Sequence, residues 1–96
     1  MKSLFYGREF EAHADHVAEG VAMRLRTKNV KTSTENVELA ARTLIKEGKL
    51  DCNEVEFVYV VDGKEVCRQK STKDGRLREY PAGYCEVAMD LLTRLF

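Results

Sequence analysis

The sequence has no tryptophan and only one proline, and its formal net charge is zero because 16 basic residues balance 16 acidic ones. A generally basic nucleic-acid-binding domain usually has a pI above about 9, whereas the pI here is about 6.7. No run of residues approaches the roughly 20 apolar positions that a membrane-spanning helix needs. The amino-terminal residues are charged too soon for a secretory signal.

The chain also lacks the short motifs that define common reactions. It contains no Gly-x-x-x-x-Gly-Lys loop for phosphates, no Gly-x-Ser-x-Gly nucleophile elbow and no His-Glu-x-x-His metal motif. Its three cysteines, Cys52, Cys67 and Cys85, are widely spaced, and their odd number argues against a disulfide framework. We therefore expect a cytoplasmic protein with no cofactor and no enzymatic activity.

What remains is the composition of an ordinary globular chain of 96 residues, 44% hydrophobic and 33% charged. We expect a single domain over residues 1–96. Apolar residues at helical spacing predict helices over residues 8–27, 34–47 and 84–96.

Two signals mark the ends of the second helix. Thr32 and Glu35 have the spacing of a capping box, with Ser33 or Thr34 as the alternative cap. Gly48 stands where a residue with positive φ commonly ends a helix.

β-branched and aromatic residues dominate residues 54–61, which predicts a strand. Asp62 and Gly63 are typical of a two-residue type I′ turn, so a polar strand is expected to return beside the first. Residues 76–80 predict a short third strand, and residues 3–6 another. The expected fold class is α+β, with three helices packed on a small antiparallel hairpin or meander at 54–80, in the order (β)ααββ(β)α.

Two histidines and a cysteine are the candidates for chemistry. His13 and His16 are three residues apart on the first predicted helix, and with Glu9 they would form a metal site. A solvated acidic helix face carrying two histidines is the commoner arrangement, and we expect no metal. Cys52 paired with either histidine would be a nucleophile, but no motif supports that pair.

Basic side chains form two groups, which suggest a nucleic-acid surface. With tyrosines beside them they would contact phosphates and stack bases. Alternatively, they occupy the solvated face and edge of a hairpin, which prevents edge-to-edge pairing; with zero net charge we favour this interpretation. The first group is Arg24, Arg26, Lys28 and Lys31, and the second is Lys64, Arg68, Lys70, Lys73, Arg76 and Arg78.

Two segments resemble a known family. Residues 30–50 include Thr-Ser-Thr-Glu and end in Glu-Gly-Lys-Leu, and residues 74–84 read Asp-Gly-Arg-Leu-Arg-Glu-Tyr-Pro-Ala-Gly-Tyr. These stretches resemble the late part of ABC/AAA-type ATPases related to the overcoming-lysogenization-defect group of bacterial defence systems. Residues 9–16 are similar, more faintly, to the acidic segment after that family's Walker B strand. The resemblance implies that a strand at 3–6 or near 29–32 joins the sheet and makes it mixed.

The chain departs from this family where catalysis is concerned. Ser33 stands where the family's Thr-His-Ser-Glu motif has histidine, and only Glu9 and Glu11 correspond to the Walker B acids. Phosphoryl transfer needs a phosphate cradle, Mg²⁺ and a positioned water. The resemblance therefore implies a detached, catalytically silent piece that keeps a docking surface.

We expect a non-enzymatic protein-interaction module that docks on, or inhibits, a larger bacterial complex. The alternative is a small nucleic-acid-binding domain that uses the basic hairpin. The sequence leaves open the oligomeric state and whether a phage or its host encodes the chain. Because arginine and tyrosine are enriched at interface hot spots, the expected partner-binding residues are Tyr59, Arg68, Lys70, Arg76, Arg78 and Tyr80.

Overall fold

The computed structural model describes residues 1–78, which form four strands and two helices. In chain order the elements are β1 Lys2–Tyr6, α1 Ala18–Met23, β2 Val30–Thr32, α2 Glu35–Lys46, β3 Val55–Val61 and β4 Lys64–Gln69. Short 3-10 turns at Asp15–Val17 and Arg24–Arg26 flank α1. The α+β class is therefore confirmed.

The strands form one mixed sheet in the order β2-β1-β3-β4. β1 is parallel to both of its neighbours, and Leu4 is level with Val30 on one side and with Phe57 on the other. Only β4 is antiparallel to its partner, β3. The expected purely antiparallel sheet and the order (β)ααββ(β)α are wrong, because β1 and β2 join through parallel pairs that link distant parts of the chain. The alternative expectation, that a strand at 3–6 or near 29–32 joins the sheet and makes it mixed, is confirmed.

The hairpin between β3 and β4 has the predicted turn. Asp62 and Gly63 both have positive φ angles, 51° and 77°, as a type I′ turn requires. The pairing of β3 with β4 shifts register between Tyr59 and Val60, shortly before this turn.

Both helices pack on one face of the sheet and enclose the hydrophobic core. Because side chains alternate along a strand, every second residue of β1, β2 and β3 points toward the helices. The strands contribute buried Leu4, Val30, Val55 and Phe57, and the helical segments contribute residues that include Val21, Leu25, Val37, Ala41 and Leu44.

The predicted helix over residues 8–27 is wrong in its first half, because residues 8–14 are not helical. Hydrogen bonds hold this segment against the connection between β2 and α2 instead. The His13 amide donates to Thr34 Oγ1 at 2.7 Å, and the Ser33 amide donates to the Glu11 carbonyl at 3.1 Å. Long-range partners thus replace the helical hydrogen bonds that the apolar spacing predicted.

α2 has the predicted position, and its N-cap is one of the two residues predicted as alternatives to Thr32. Thr34 is the N-cap residue, and its side chain makes no capping bond within the helix; its hydroxyl donates to the His13 carbonyl at 3.0 Å. Thr32 Oγ1 accepts from the Thr34 amide at 3.0 Å, so the capping box is not formed as predicted. Gly48 has a φ of 79° just after the helix, as expected.

The end of the described chain contains no further strand. Residues 76–78 are irregular, so the prediction of a strand over 76–80 is wrong for these three residues. The predicted helix 84–96 lies outside the described residues.

α2 contains a buried ion pair, and one member of the pair also bonds to the segment after β4. The Arg42 and Glu38 side chains are 1% and 0% exposed, and Arg42 Nη1 lies 3.3 Å from Glu38 Oε1. Arg42 Nε also donates to the Gly75 carbonyl at 2.6 Å. A charged pair at such depth is tolerated only when its polar atoms have partners, and residues 1–78 contain no buried side-chain nitrogen or oxygen without a hydrogen bond.

We expect Gly75→Ala to lower the free energy of unfolding by about 2–3 kcal/mol. Gly75 has a φ of +76°, and an added Cβ would lie 2.2 Å from the Arg42 carbonyl oxygen. The matched control is Gly20→Ala in α1, where an added Cβ meets no atom within 4 Å; this change should stabilise by about 0.5–1 kcal/mol. Urea unfolding measures both, and equal effects would contradict the assigned contact.

We expect Arg42→Met alone to cost about 3–5 kcal/mol, because it leaves the Glu38 carboxylate buried without its guanidinium. The double variant Glu38→Leu with Arg42→Met removes both charges and should recover much of that loss. A thermodynamic cycle by chemical denaturation tests this expectation. A double variant no more stable than Arg42→Met would contradict it.

Candidate functional site

The predicted partner-binding residues do not form one surface. In the ladder between β3 and β4, Tyr59 is level with Cys67 and Val58 is level with Arg68. Side chains level with each other share a face, and successive residues alternate. Tyr59 therefore lies on the helix-bearing face of the sheet, and Arg68 lies on the opposite face.

Tyr59 lines a cleft at the carboxyl ends of β1 and β3. The cleft has a volume of about 410 Å³. Tyr59 and Tyr6 form its aromatic part, with ring centroids 5.9 Å apart and ring planes inclined by 35°. We call this region the acidic cleft because, among residues 1–78, three carboxylates and one guanidinium line it. These charged residues are Glu9, Glu35, Asp62 and Arg8.

The three carboxylates reach the acidic cleft because each follows a parallel strand. Glu9 comes after β1, Glu35 begins the helix after β2, and Asp62 comes directly after β3. Glu9 is also held in place, since its Oε1 accepts from the Gly63 amide at 3.3 Å. Carboxyl ends of parallel strands meet at one edge of a sheet, where ligand sites of such sheets commonly lie.

Sequence reasoning missed the acidic cleft. Acidic residues after three apolar segments were the available signal. That signal points to a common edge only when the three strands are known to be parallel, whereas the sequence predicted an antiparallel hairpin or meander and, as an alternative, one further strand that makes the sheet mixed.

Arg68 is engaged inside the molecule. It forms ion pairs with Glu56 and Glu65, and its Nε donates to both oxygens of Glu65 at 2.9 Å. The Arg68 side chain is 45% exposed, whereas that of Glu56 is only 10% exposed. Arg68 thus compensates the charge of a largely buried carboxylate.

The other predicted cations lie on the segment after β4. We call residues 70–78 the basic loop. It carries four exposed cations and one carboxylate, Asp74, a formal charge of +3. The exposed cations are Lys70, Lys73, Arg76 and Arg78.

Several contacts fix the basic loop. Leu77 is 6% exposed and belongs to the core. The Thr72 amide donates to the Arg76 carbonyl at 2.8 Å, and the Gly75 amide donates to the Thr72 carbonyl at 3.0 Å. With the bond from Arg42 to Gly75, these contacts present the cations on a defined backbone. Tyr80, the last predicted residue, lies outside the described residues.

The first basic group, Arg24, Arg26, Lys28 and Lys31, lies near the other edge of the sheet. Residues 24–28 precede β2, which is the edge strand opposite β4. Three strand spacings, about 14 Å, separate these two edges. Arg26 is engaged there, since its Nη2 donates to the Lys49 carbonyl at 3.1 Å. The structure therefore keeps the two basic groups apart.

The two histidines and Cys52 lie in separate places in the described part of the fold. His13 Nδ1 lies 2.8 Å from Thr32 Oγ1, and His16 is exposed in a 3-10 turn. Cys52 is half-buried against the core. Across residues 1–78, no group of three or more histidine, cysteine or acidic side chains is arranged to hold a metal ion.

Comparison of the chain with models of protein families, with curated proteins and with solved structures gives no match. Neither of the two described helices has the length and apolar content needed to cross a bilayer.

We expect Arg68→Ala to lower the free energy of unfolding by about 1–2 kcal/mol, because it leaves the Glu56 carboxylate largely buried without a partner. Lys70→Ala is the matched control: it removes an exposed cation two residues further along, directly after β4, and should change stability by less than about 0.5 kcal/mol. Denaturation midpoints compare the two variants. If both lose the same stability, the assigned role of Arg68 is wrong.

Proposed function

We propose that this chain is a non-enzymatic protein-interaction module whose basic loop docks on an acidic surface of a larger bacterial complex. The observation that carries the proposal is the basic loop itself. Four exposed cations stand on a segment that the buried Arg42 side chain and the core residue Leu77 hold in place.

Pre-ordering is what makes such a loop suited to binding. Ordering a flexible segment at an interface costs free energy that is subtracted from the affinity. Here the backbone of the basic loop is already ordered by its own hydrogen bonds. Arg78 supplies a planar guanidinium group of the kind that makes paired hydrogen bonds to carboxylates.

The proposal includes the kind of complex and the compartment. The resemblance of residues 30–50 and 74–84 to ATPases of bacterial defence systems supports a partner of that class. The thiol of Cys52 is not part of a disulfide, which is compatible with a reducing compartment such as the bacterial cytoplasm.

The arrangement of charges favours a protein partner over a nucleic acid. Binding of single strands combines cations with aromatic rings that stack bases. Tyr59 lies in the acidic cleft, where three carboxylates would repel phosphates, rather than beside the basic loop. The first basic group, at residues 24–31, is at the opposite edge of the sheet from the basic loop.

We expect Lys70→Glu with Arg78→Glu to abolish capture of the partner from a bacterial lysate treated with nuclease. Both side chains are exposed, so the variant should keep the wild-type melting temperature. The matched control is Arg24→Glu with Lys28→Glu, which reverses two exposed cations elsewhere and should leave capture intact. Affinity purification with quantitative mass spectrometry measures the difference.

Two results would overturn the proposal. One is equal capture by the wild type and by the basic-loop variant. The other is binding of a single-stranded oligonucleotide that depends on the basic loop and weakens by orders of magnitude between about 50 and 200 mM salt, the signature of phosphate contacts.

A further inference from the structure

The basic loop and the acidic cleft carry opposite charges. The charged side chains that line the acidic cleft, three carboxylates and one guanidinium, have a formal charge of −2. The basic loop has a formal charge of +3. The chain as a whole is neutral, so its fold concentrates negative charge on one surface and positive charge on another.

The two surfaces lie toward opposite ends of the hairpin. Asp62 of the acidic cleft follows the carboxyl end of β3. Gln69, immediately before the basic loop, is level with Phe57 near the amino end of β3. Five residues of strand separate these levels, a distance of about 17 Å.

The two surfaces of one molecule cannot meet. The hydrogen bond from Arg42 Nε to the Gly75 carbonyl and the burial of Leu77 hold the basic loop beside α2. Moving it to the acidic cleft would break both contacts. A pairing between the two surfaces therefore requires two molecules.

We propose that the basic loop of one molecule docks in the acidic cleft of a second copy of this chain. The proposal rests on the proposed function, since it names a second copy as a partner of the basic loop. In this contact Arg78 or Lys73 of one copy faces Glu35 and Asp62 of the other. The rings of Tyr6 and Tyr59 add a cation–π attraction, which is strongest for cations over an aromatic face.

This contact is heterologous, because a different surface is used on each molecule. Each copy that docks its basic loop leaves its own acidic cleft available for a third copy, so assembly proceeds head to tail. Ion pairs at an exposed contact weaken as salt shortens the range of the electrostatic attraction. Self-association is therefore expected to be concentration-dependent and sensitive to salt.

Sedimentation velocity on the full chain tests the proposal without any other component. At about 20 mM salt the average mass should rise with concentration above the 11.0 kDa of one chain. At about 500 mM salt it should return to that of a single chain. A wild-type chain that stays monomeric at low salt over the whole soluble concentration range would overturn the proposal.

Complementary variants test the two surfaces separately. Glu35→Gln with Asp62→Asn neutralises two carboxylates of the acidic cleft, and asparagine tolerates the positive φ of residue 62. Lys70→Glu with Arg78→Glu changes the basic loop. Each variant alone should be monomeric, with self-association weakened by about tenfold or more.

Mixing the two variants should restore a single contact. The variant with the altered cleft still has its basic loop, and the other variant still has its acidic cleft. The mixture should therefore form dimers and stop there, whereas Arg24→Glu with Lys28→Glu should assemble like the wild type. Each variant's melting curve checks that it is folded. A folded cleft variant that self-associates like the wild type would overturn the proposal. So would a mixture of the two folded variants that stays monomeric.

The outcome is separable from that of the proposed function. If the wild type captures a partner through the basic loop but does not self-associate, the further inference fails alone. If it self-associates but the basic-loop variant still captures the same partner, the proposed function fails alone.

Discussion

The buried pair of Arg42 and Glu38 is the interaction on which the rest of this structure depends. Two charges with almost no exposure to solvent carry a large desolvation cost, which is offset only while each keeps its hydrogen-bond partners. One of those partners is the main chain of Gly75, 33 residues further along. Through this bond Arg42 joins α2 to the basic loop. The buried Arg42 charge keeps all its partners only while the basic loop is ordered. Arg42 thus has a structural role that explains why an irregular segment has a defined position.

The sheet depends on a second constraint, the central position of β1. A five-residue strand is parallel to partners on both sides, so its residues contribute to two ladders at once. Leu4, which is fully buried, contacts the layer formed by both helices. Since β1 comes first in the chain and its partners follow much later, these pairs are non-local. Both the core between the sheet and the two described helices and the common edge of the three strands follow from them.

The elements that the sequence predicts well are those encoded locally. α2 has an apolar stripe and a terminal Gly48, and the hairpin has the Asp62-Gly63 pair; each signal acts within a few residues. Residues 8–14 have helical spacing, but hydrogen bonds from His13 and Ser33 to partners about 20 residues away determine their conformation. Glu38 and Arg42 were indistinguishable from a solvated pair at i and i+4, because their burial depends on a loop that packs on them from far along the chain. The candidate site was only partly predictable for the same reason: the exposed cations were identified, but the face each occupies depends on the strand register.

A formal charge of zero conceals the property that decides what this molecule can bind. Charges act over a Debye length of about 10 Å at 0.1 M salt, and about 17 Å of strand separates the level of the acidic cleft from that of the basic loop. A ligand at one surface therefore experiences little of the opposing charge at the other. Total charge describes solubility and behaviour at long range, whereas recognition depends on how the fold distributes that charge. Here the parallel strands bring carboxylates to one edge and the Arg42 contact holds cations away from it, so the same neutral composition yields two surfaces of opposite sign.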